Sequence, residues 1–310
     1  MADTTSQNPR VAPPRRPEQL VTHRLASAAL AALILAAPAA RAAEPPRTAP
    51  GTRGMSIEEQ AARAVSVSLR AEHAPLQPGG STTLALSFDL AEGWHLYWRN
   101  PGDSGAAIGF DFQLPQGVTI GQPQWPTPKR SVAPGDILDY IYEKRVTLLF
   151  PLTVAPSVTG PINIRAKIDW LVCREACVPG ERAVELTIPI AQSSAPSTAA
   201  ADIAAARAAM PAPLRDAAPS ERITAVFQDM ALRIHAPAAS SLAFYPYEDE
   251  LQPDNPLDQG AAQGDSLTLA YSAAAPSDRI RGLLVVSRPT GSHAYLLDVS
   301  AGTNTSNQGQ

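Results

Sequence analysis

Two runs that alternate between apolar and polar residues meet at a pair of cysteines. Ile162, Ile164, Ala166, Ile168 and Trp170 lead in, and Ala183, Val184, Leu186, Ile188 and Ile190 lead out. A period of two puts every second side chain on one face of an extended chain, so each run reads as a half-buried β-strand. Between them lies DWLVCREACVPGER, residues 169–182, with Cys173 and Cys177, the chain's two cysteines. Cysteines three residues apart bridge only where the backbone turns back sharply, as at a hairpin tip. Val178-Pro179-Gly180 supplies turn material just after Cys177.

The same period recurs along the chain. AVSVSLRA from Ala64 and TTLALSFDL alternate around the turn signal Gln77-Pro78-Gly79-Gly80. GWHLYWRNPGDSG, residues 93–105, begins as an aromatic strand and ends in turn chemistry at Asn100-Pro101-Gly102-Asp103. GFDFQLPQGVTI and PQWPTPKR read as short strands broken by proline, and EKRVTLLFPLTV, residues 143–154, as a clear one. The 31 prolines favour loops and edge strands over long helices. Many short strands with regular turns predict an all-β protein of immunoglobulin type.

Composition shifts at residue 191. AQSSAPSTAAADIAAARAAMPAP is Ala-rich, and residues 199–209 predict a short helix capped by Ser197 or Thr198 and stopped by Pro211. A second strand-rich region follows: ITAVFQ, LRIHA, LAFYPY, SLTLAYS, IRGLLVVS and AYLLDVS. The expected fold is two immunoglobulin-like β-sandwich domains, 60–190 and 221–300, joined by an Ala/Pro linker with a short helix at 191–220. A flexible leader is expected at 43–59 and a disordered tail at 301–310.

The first 42 residues read as a signal peptide. Arg15, Arg16 and Arg24 precede an uncharged apolar run at 25–37, and Ala40-Arg41-Ala42 offers a small-x-small cleavage site. The apolar run is shorter than the roughly 20 residues of a membrane span. No membrane span is expected after signal removal. The mature chain is thus expected in an oxidising compartment where a disulfide persists. With a net charge of −4 and no recurring Lys/Arg face, a nucleic-acid partner is not expected.

Three chemistries fit the cysteine pair. A structural staple over so short a loop contributes only about 2 kcal/mol, and a protein of this size does not need one. A metal site lacks ligands in sequence: His73, His95, His235 and His293 are dispersed and no second Cys pair exists. Thiol–disulfide exchange needs two nearby thiols on an exposed loop. The spacing is not the Cys-x-x-Cys at a helix start that lowers a thiol pKa. Arg174 favours a nearby thiolate and Glu175 opposes it, so the reactive sulfur stays open.

GWHLYWRNPGDSG, WPTPKR, YEKRVTLLFPL and DWLVCREACVPG, taken in order, resemble the N-terminal periplasmic (alpha) domain of DsbD-type thiol:disulfide interchange proteins, and most of all their ScsB (suppressor of copper sensitivity) relatives. The resemblance covers about residues 60–190; the second strand-rich region is similar to the second half of the ScsB-type periplasmic portion. It implies an immunoglobulin-like domain in the periplasm, with Cys173 and Cys177 as the catalytic redox pair and neither cofactor nor metal. It implies protein-disulfide reductase activity that depends on a separate reductant. The partners implied are a membrane electron-conducting or thioredoxin-like reductase and periplasmic disulfide proteins. Family members usually continue into a membrane domain and a thioredoxin-like domain, and this chain is expected to carry neither. A noncatalytic interaction module with a structural disulfide, and a copper-stress accessory protein, are the alternatives.

Other residues carry two readings each. Trp94, Tyr97 and Trp98 serve either as core or as an aromatic cap over the sulfurs. Strand alternation puts Trp94 and Trp98 on one face, His95 and Tyr97 on the other. Arg99, Asn100 and Asp103 are expected to build the turn, and His95 to be structural. Lys129 and Arg130 are expected to be exposed charges, and Asp169 is a candidate proton acceptor near a thiol.

Overall fold

The computed structural model describes residues 55–272, 279–300 and 304–306. The expected signal peptide lies outside them. Nearly all regular structure is antiparallel sheet, in four sheets.

The first sheet runs Val65–Ala71, Ser81–Leu90, Arg145–Val154, Val118–Ile120. The second runs Cys177–Ile188, Ile162–Cys173, His95–Gly102, Ile137–Glu143, Lys129–Ala133, with Gly109–Gln113 also paired to Ile162–Cys173. Between these two sheets lies one core. Leu84, Leu86, Phe88, Leu148 and Phe150 from the first meet Leu96, Trp98, Ile164, Ile168 and Val172 from the second. The alternation in Ile162–Cys173 is what makes this possible. Its even-numbered residues are buried and its odd-numbered ones face water up to Asp169.

The third sheet runs Ala212–Pro213, Gly291–Ser300, Arg279–Arg288, Ser241–Pro246, Ala261–Gln263, and the fourth Ser266–Ala270, Ala231–His235, Thr224–Gln228, Asn304–Ser306. A second core fills the space between them, around Ile223, Leu232, Leu242, Leu269, Leu284 and Val299. The fold is all-β and immunoglobulin-like. The two cores meet at a seam where Tyr245 and Leu283, carried by the third sheet, join the first core.

Three segments outside the cysteine hairpin depart from the sequence reading in their helix, cap or strand structure. A helix, Ile57–Ala64, begins within the expected leader. Ser56 and Glu59 close a reciprocal capping box there, satisfying two N-terminal N–H groups. The Ala-rich helix spans Ala200–Ala208 with Ala199 at its N-cap and no capping side chain. Neither Ser197 nor Thr198 caps it. Ser197 instead donates from its hydroxyl to the Ala71 carbonyl and accepts from Ala199 N–H, which ties the segment to the first sheet. The helix buries Ile203 against Ala85 and Leu149, so it covers the outer face of that sheet. Within the expected disordered tail, Asn304–Ser306 pairs with Thr224–Val226 as the last strand of the fourth sheet.

Candidate functional site

The strands Ile162–Cys173 and Cys177–Ile188 form one long hairpin, in register from Ile162↔Ile188 to Cys173↔Cys177. Only Arg174, Glu175 and Ala176 turn the chain, and Cys173 and Cys177 are the last cross-strand pair before them. Their Cα atoms stand 4.1 Å apart and the sulfurs are bonded. The expected turn at Val178-Pro179-Gly180 is instead strand. The strand Cys177–Ile188 is the edge of its sheet, where proline's missing N–H leaves no ladder bond unmade. Gly180 lies opposite Trp170, and a Cβ there would stand 2.5 Å from the indole nitrogen. Glycine here admits a ring rather than making a bend.

The two sulfurs have unequal surroundings. Cys177 is exposed, whereas Cys173 is 3% exposed and lies in a small apolar cluster with Tyr97, Ile141 and Leu171. Burial of Cys173 breaks the alternation of its strand, because Val172 before it is buried in the main core on the opposite face.

Tyr97 provides the polar contact. Its hydroxyl donates to Cys173 Sγ at 3.1 Å and lies 3.8 Å from Cys177 Sγ. His95 Nε2 lies 3.4 Å from the same hydroxyl, and His95 pairs with Cys173 across the strands. Burial pushes the Tyr97 hydroxyl above its ordinary value, against an opposing hydrogen bond with Ser104. The phenol therefore stays a proton donor through the neutral range. Burial also holds the His95 imidazole below its ordinary value, against the pull of Asp139 and Glu143.

The loop after Tyr97 closes over its ring. Asp103 Oδ2 accepts from Leu138 N–H at 2.8 Å, and Asp103 N–H donates to the Leu138 carbonyl at the same distance. Ser104 donates to the buried Asp139 carboxylate from both its N–H and its hydroxyl. Gly105 then sits at φ 84° directly against the Tyr97 ring, where a Cβ would collide with several ring atoms.

The aromatic stretch thus splits by face, and both of its readings hold for part of it. Trp94 and Trp98 are core residues, while Tyr97 covers Cys173. Asp103 builds the turn as expected. Asn100 does so too, its Oδ1 accepting from Gly102 N–H, and it also reaches the third sheet, whereas Arg99 instead reaches the loop beyond that sheet. The Arg99 guanidinium lies over the Tyr247 ring at 4.1 Å, and Asn100 Nδ2 donates to the Pro246 carbonyl at 2.9 Å. Lys129 is an exposed charge paired with Glu143. Arg130 is not an ordinary exposed charge: it donates to the carbonyls of Pro256 and Leu257 across the seam. Arg174 lies over the Trp94 ring at 5.0 Å and donates to Gln60, and the exposed Glu175 pairs with it at 3.8 Å. Asp169 shares the face of Cys173 but sits four residues up the strand, exposed and against Gly109. Among the described residues no three His, Cys, Asp or Glu side chains converge on a metal-sized site. Ser104, Gly105, Asp139 and Ile141 were not legible as site residues. The Gly in GDSG was the one signal, a position where the backbone approaches a ring closely.

Fold and site together define an immunoglobulin-like sandwich with a hairpin-tip disulfide, one sulfur open to solvent and one sealed under a tyrosine. Residues 64–189 match the family model "Thiol:disulfide interchange protein DsbD, N-terminal". The match covers the first sandwich and stops before the second, and it bears out the resemblance read from the sequence. No curated protein matches the chain. Among solved structures, the N-terminal periplasmic domain of ScsB from Proteus mirabilis is similar at 17% identity and TM-score 0.52, covering 77% of this chain and 94% of that one. The likeness spans both sandwiches and speaks to fold. The N-terminal domain of DsbD from Neisseria meningitidis, in its reduced form, is 18% identical with TM-score 0.26, covering 44% of this chain and 92% of that one. No helix among the described residues is long and apolar enough to cross a membrane.

Proposed function

We propose that this chain is a periplasmic thiol–disulfide exchange protein that passes electrons through Cys173 and Cys177. One observation carries the reading: Cys177 is exposed at a hairpin tip while Cys173 is buried against a hydroxyl donor. A static staple needs neither feature.

The step follows from the geometry. A thiolate of a reduced dithiol partner attacks Cys177 Sγ, the sulfur it can reach. A bond forms between the partner and Cys177, and the Cys173–Cys177 bond breaks. Cys173 leaves with the electron pair as a thiolate, and the Tyr97 hydroxyl strengthens its hydrogen bond to that charge. The partner's second thiol then attacks its own sulfur in the mixed disulfide and releases Cys177. The partner leaves oxidised and the pair is reduced. The same steps reversed hand two electrons to a disulfide-bonded protein. The source of electrons is a separate membrane or thioredoxin-like reductase.

Two measurements test this. The reduction potential of the pair should lie near that of thioredoxin-like partners, about −270 mV or higher. A value below about −300 mV would mark a structural bond and end the proposal. Cys173→Ser, with its free Cys177 thiol, should accumulate a mixed disulfide with a thioredoxin-like partner whose single remaining cysteine is carried as a disulfide to a small aromatic thiol, which leaves as the free thiol. Cys177→Ser, left with the buried sulfur, should accumulate little. Equal trapping by both variants would overturn the assignment of Cys177 as the attacked sulfur.

A further inference from the structure

The strand that carries Tyr97 does not run straight. Tyr97 pairs with Ile141 and Gly102 with Asp139, so the residues between Trp98 and Pro101 bulge out of the ladder. The second sandwich occupies that bulge. Trp98 meets the rings of Tyr245 and Tyr247 at 6.2 and 5.8 Å between centroids. Arg99 lies over Tyr247 and pairs with Asp249 at 3.5 Å. Asn100 is 6% exposed and works on both sides of the seam. Its Nδ2 donates to the Pro246 carbonyl, and its Oδ1 accepts from Gly102 N–H at 3.0 Å.

Asn100 and Asp139 are two of the few buried polar side chains among the described residues, and both hold this one loop. From Gly102 the path runs through Asp103 and Leu138, then Ser104 and Asp139, to Gly105 on the Tyr97 ring. Tyr97 ends it, with its hydroxyl on Cys173 Sγ. A buried amide that joins two elements is expensive to leave half-paired, so the seam fixes the loop in one arrangement.

We propose that the second sandwich is a positioning element for the sulfur site, acting through Asn100. Its grip on the bulge sets the loop, the loop sets the Tyr97 ring, and the ring sets the hydroxyl on the leaving sulfur. This gives the region outside the family match a role in the same site, and it rests on the exchange reading above. Asn100 touches neither sulfur. It is a positioning residue.

The test is a coupling measurement on the whole chain. Opening of the disulfide by dithiothreitol is timed for wild type, Asn100→Ala, Tyr97→Phe and the double variant. Thermal melts of the oxidised proteins confirm that each is folded. Asn100→Ala should slow opening to within about twofold of Tyr97→Phe, and the double variant should be no slower than Tyr97→Phe alone. Gly105→Ala, which pushes a Cβ into the Tyr97 ring, should slow it likewise. Independent, multiplying effects, or a folded Asn100→Ala that opens at the wild-type rate, overturn the proposal. Should Asn100→Ala not fold, Gln252→Ala reads the same coupling. That exposed side chain lies 3.5 Å from Asn100 Nδ2 and holds the carbonyls of Tyr247 and Glu250. A Gln252→Ala protein that opens at the wild-type rate then counts against the proposal. A wild-type bond that resists dithiothreitol brings down the exchange reading itself. A wild-type bond that opens while the variants keep pace brings down only this inference.

Discussion

Tyr97→Phe removes one oxygen and leaves the ring that fills the space beside Cys173. The lost hydroxyl donates to Cys173 Sγ at 3.1 Å. A disulfide sulfur is a weak acceptor and a thiolate a strong one, so this bond favours the opened state. Hydrogen bonds to charged groups contribute about 1.5–3 kcal/mol. With the charge on the leaving sulfur roughly half developed in the transition state, the hydroxyl supplies about 1 kcal/mol there, which is about fivefold in rate. Where Cys173 stands as a thiolate the whole bond counts. The reduction potential of Tyr97→Phe should then fall by about 30 mV or more. The assay mixes oxidised protein with excess dithiothreitol, quenches in acid, and counts freed thiols by the mass added on alkylation. Equilibration against dithiol buffers gives the potential. If a folded Tyr97→Phe protein opens as fast as wild type, or faster, the hydroxyl is a lid and not a stabiliser of the leaving sulfur. The leaving thiolate then loses its hydrogen-bond donor.

Three more perturbations follow from the same geometry. Burial depresses the His95 pKa, so its contribution to stability is whole above about pH 6.5, the unfolded value, and is lost as pH falls through the lower folded value. His95→Gln should flatten the acid limb of stability below about pH 6.5 in urea melts, and an unchanged limb would refute the assignment. Gly180→Ala should destabilise the hairpin by about 1–3 kcal/mol through collision with Trp170, read as a lower denaturation midpoint at unchanged slope. Arg174→Ala should remove about 0.5–1 kcal/mol by taking the guanidinium off Trp94, seen in the same melts; a neutral outcome would mean that solvent already screens that contact.

The hairpin was legible because one of its faces is buried. Period two in INIRAKIDWLVC fixes which residues point inward, and Val172 still follows the rule one position before Cys173 breaks it. Val178-Pro179-Gly180 was misread because proline and glycine have two uses in a β protein. Both are turn residues, but on an edge strand proline loses no ladder bond and glycine admits a neighbouring ring. Sequence spacing cannot choose between these uses; the position of the strand in its sheet does. Ser56-x-x-Glu59 carried a legible helix start that the Pro/Gly-rich residues before it obscured. Asp139 was hidden for another reason. Its partner Ser104 lies 35 residues away, and only the bulge brings them together.

The unequal sulfurs have a cause that lies in the strand behind them. Along His95–Gly102, Leu96 and Trp98 face the core, while His95 and Tyr97 face the cysteines. A strand with one face in water could carry any residue on its second face. This one is covered on both, by the main core and by the loop through Gly105. Cys173 pairs with His95 under that cover and is sealed; Cys177 pairs only with Cys173 on the edge strand and stays open. Under the proposed exchange, the polarity of the pair, one sulfur to be attacked and one to leave, follows from sheet order. Exchanging the flanking tip charges Arg174 and Glu175 should leave it unchanged. If such a swap moved the mixed disulfide from Cys177 to Cys173, local charge and not burial would set the direction of attack.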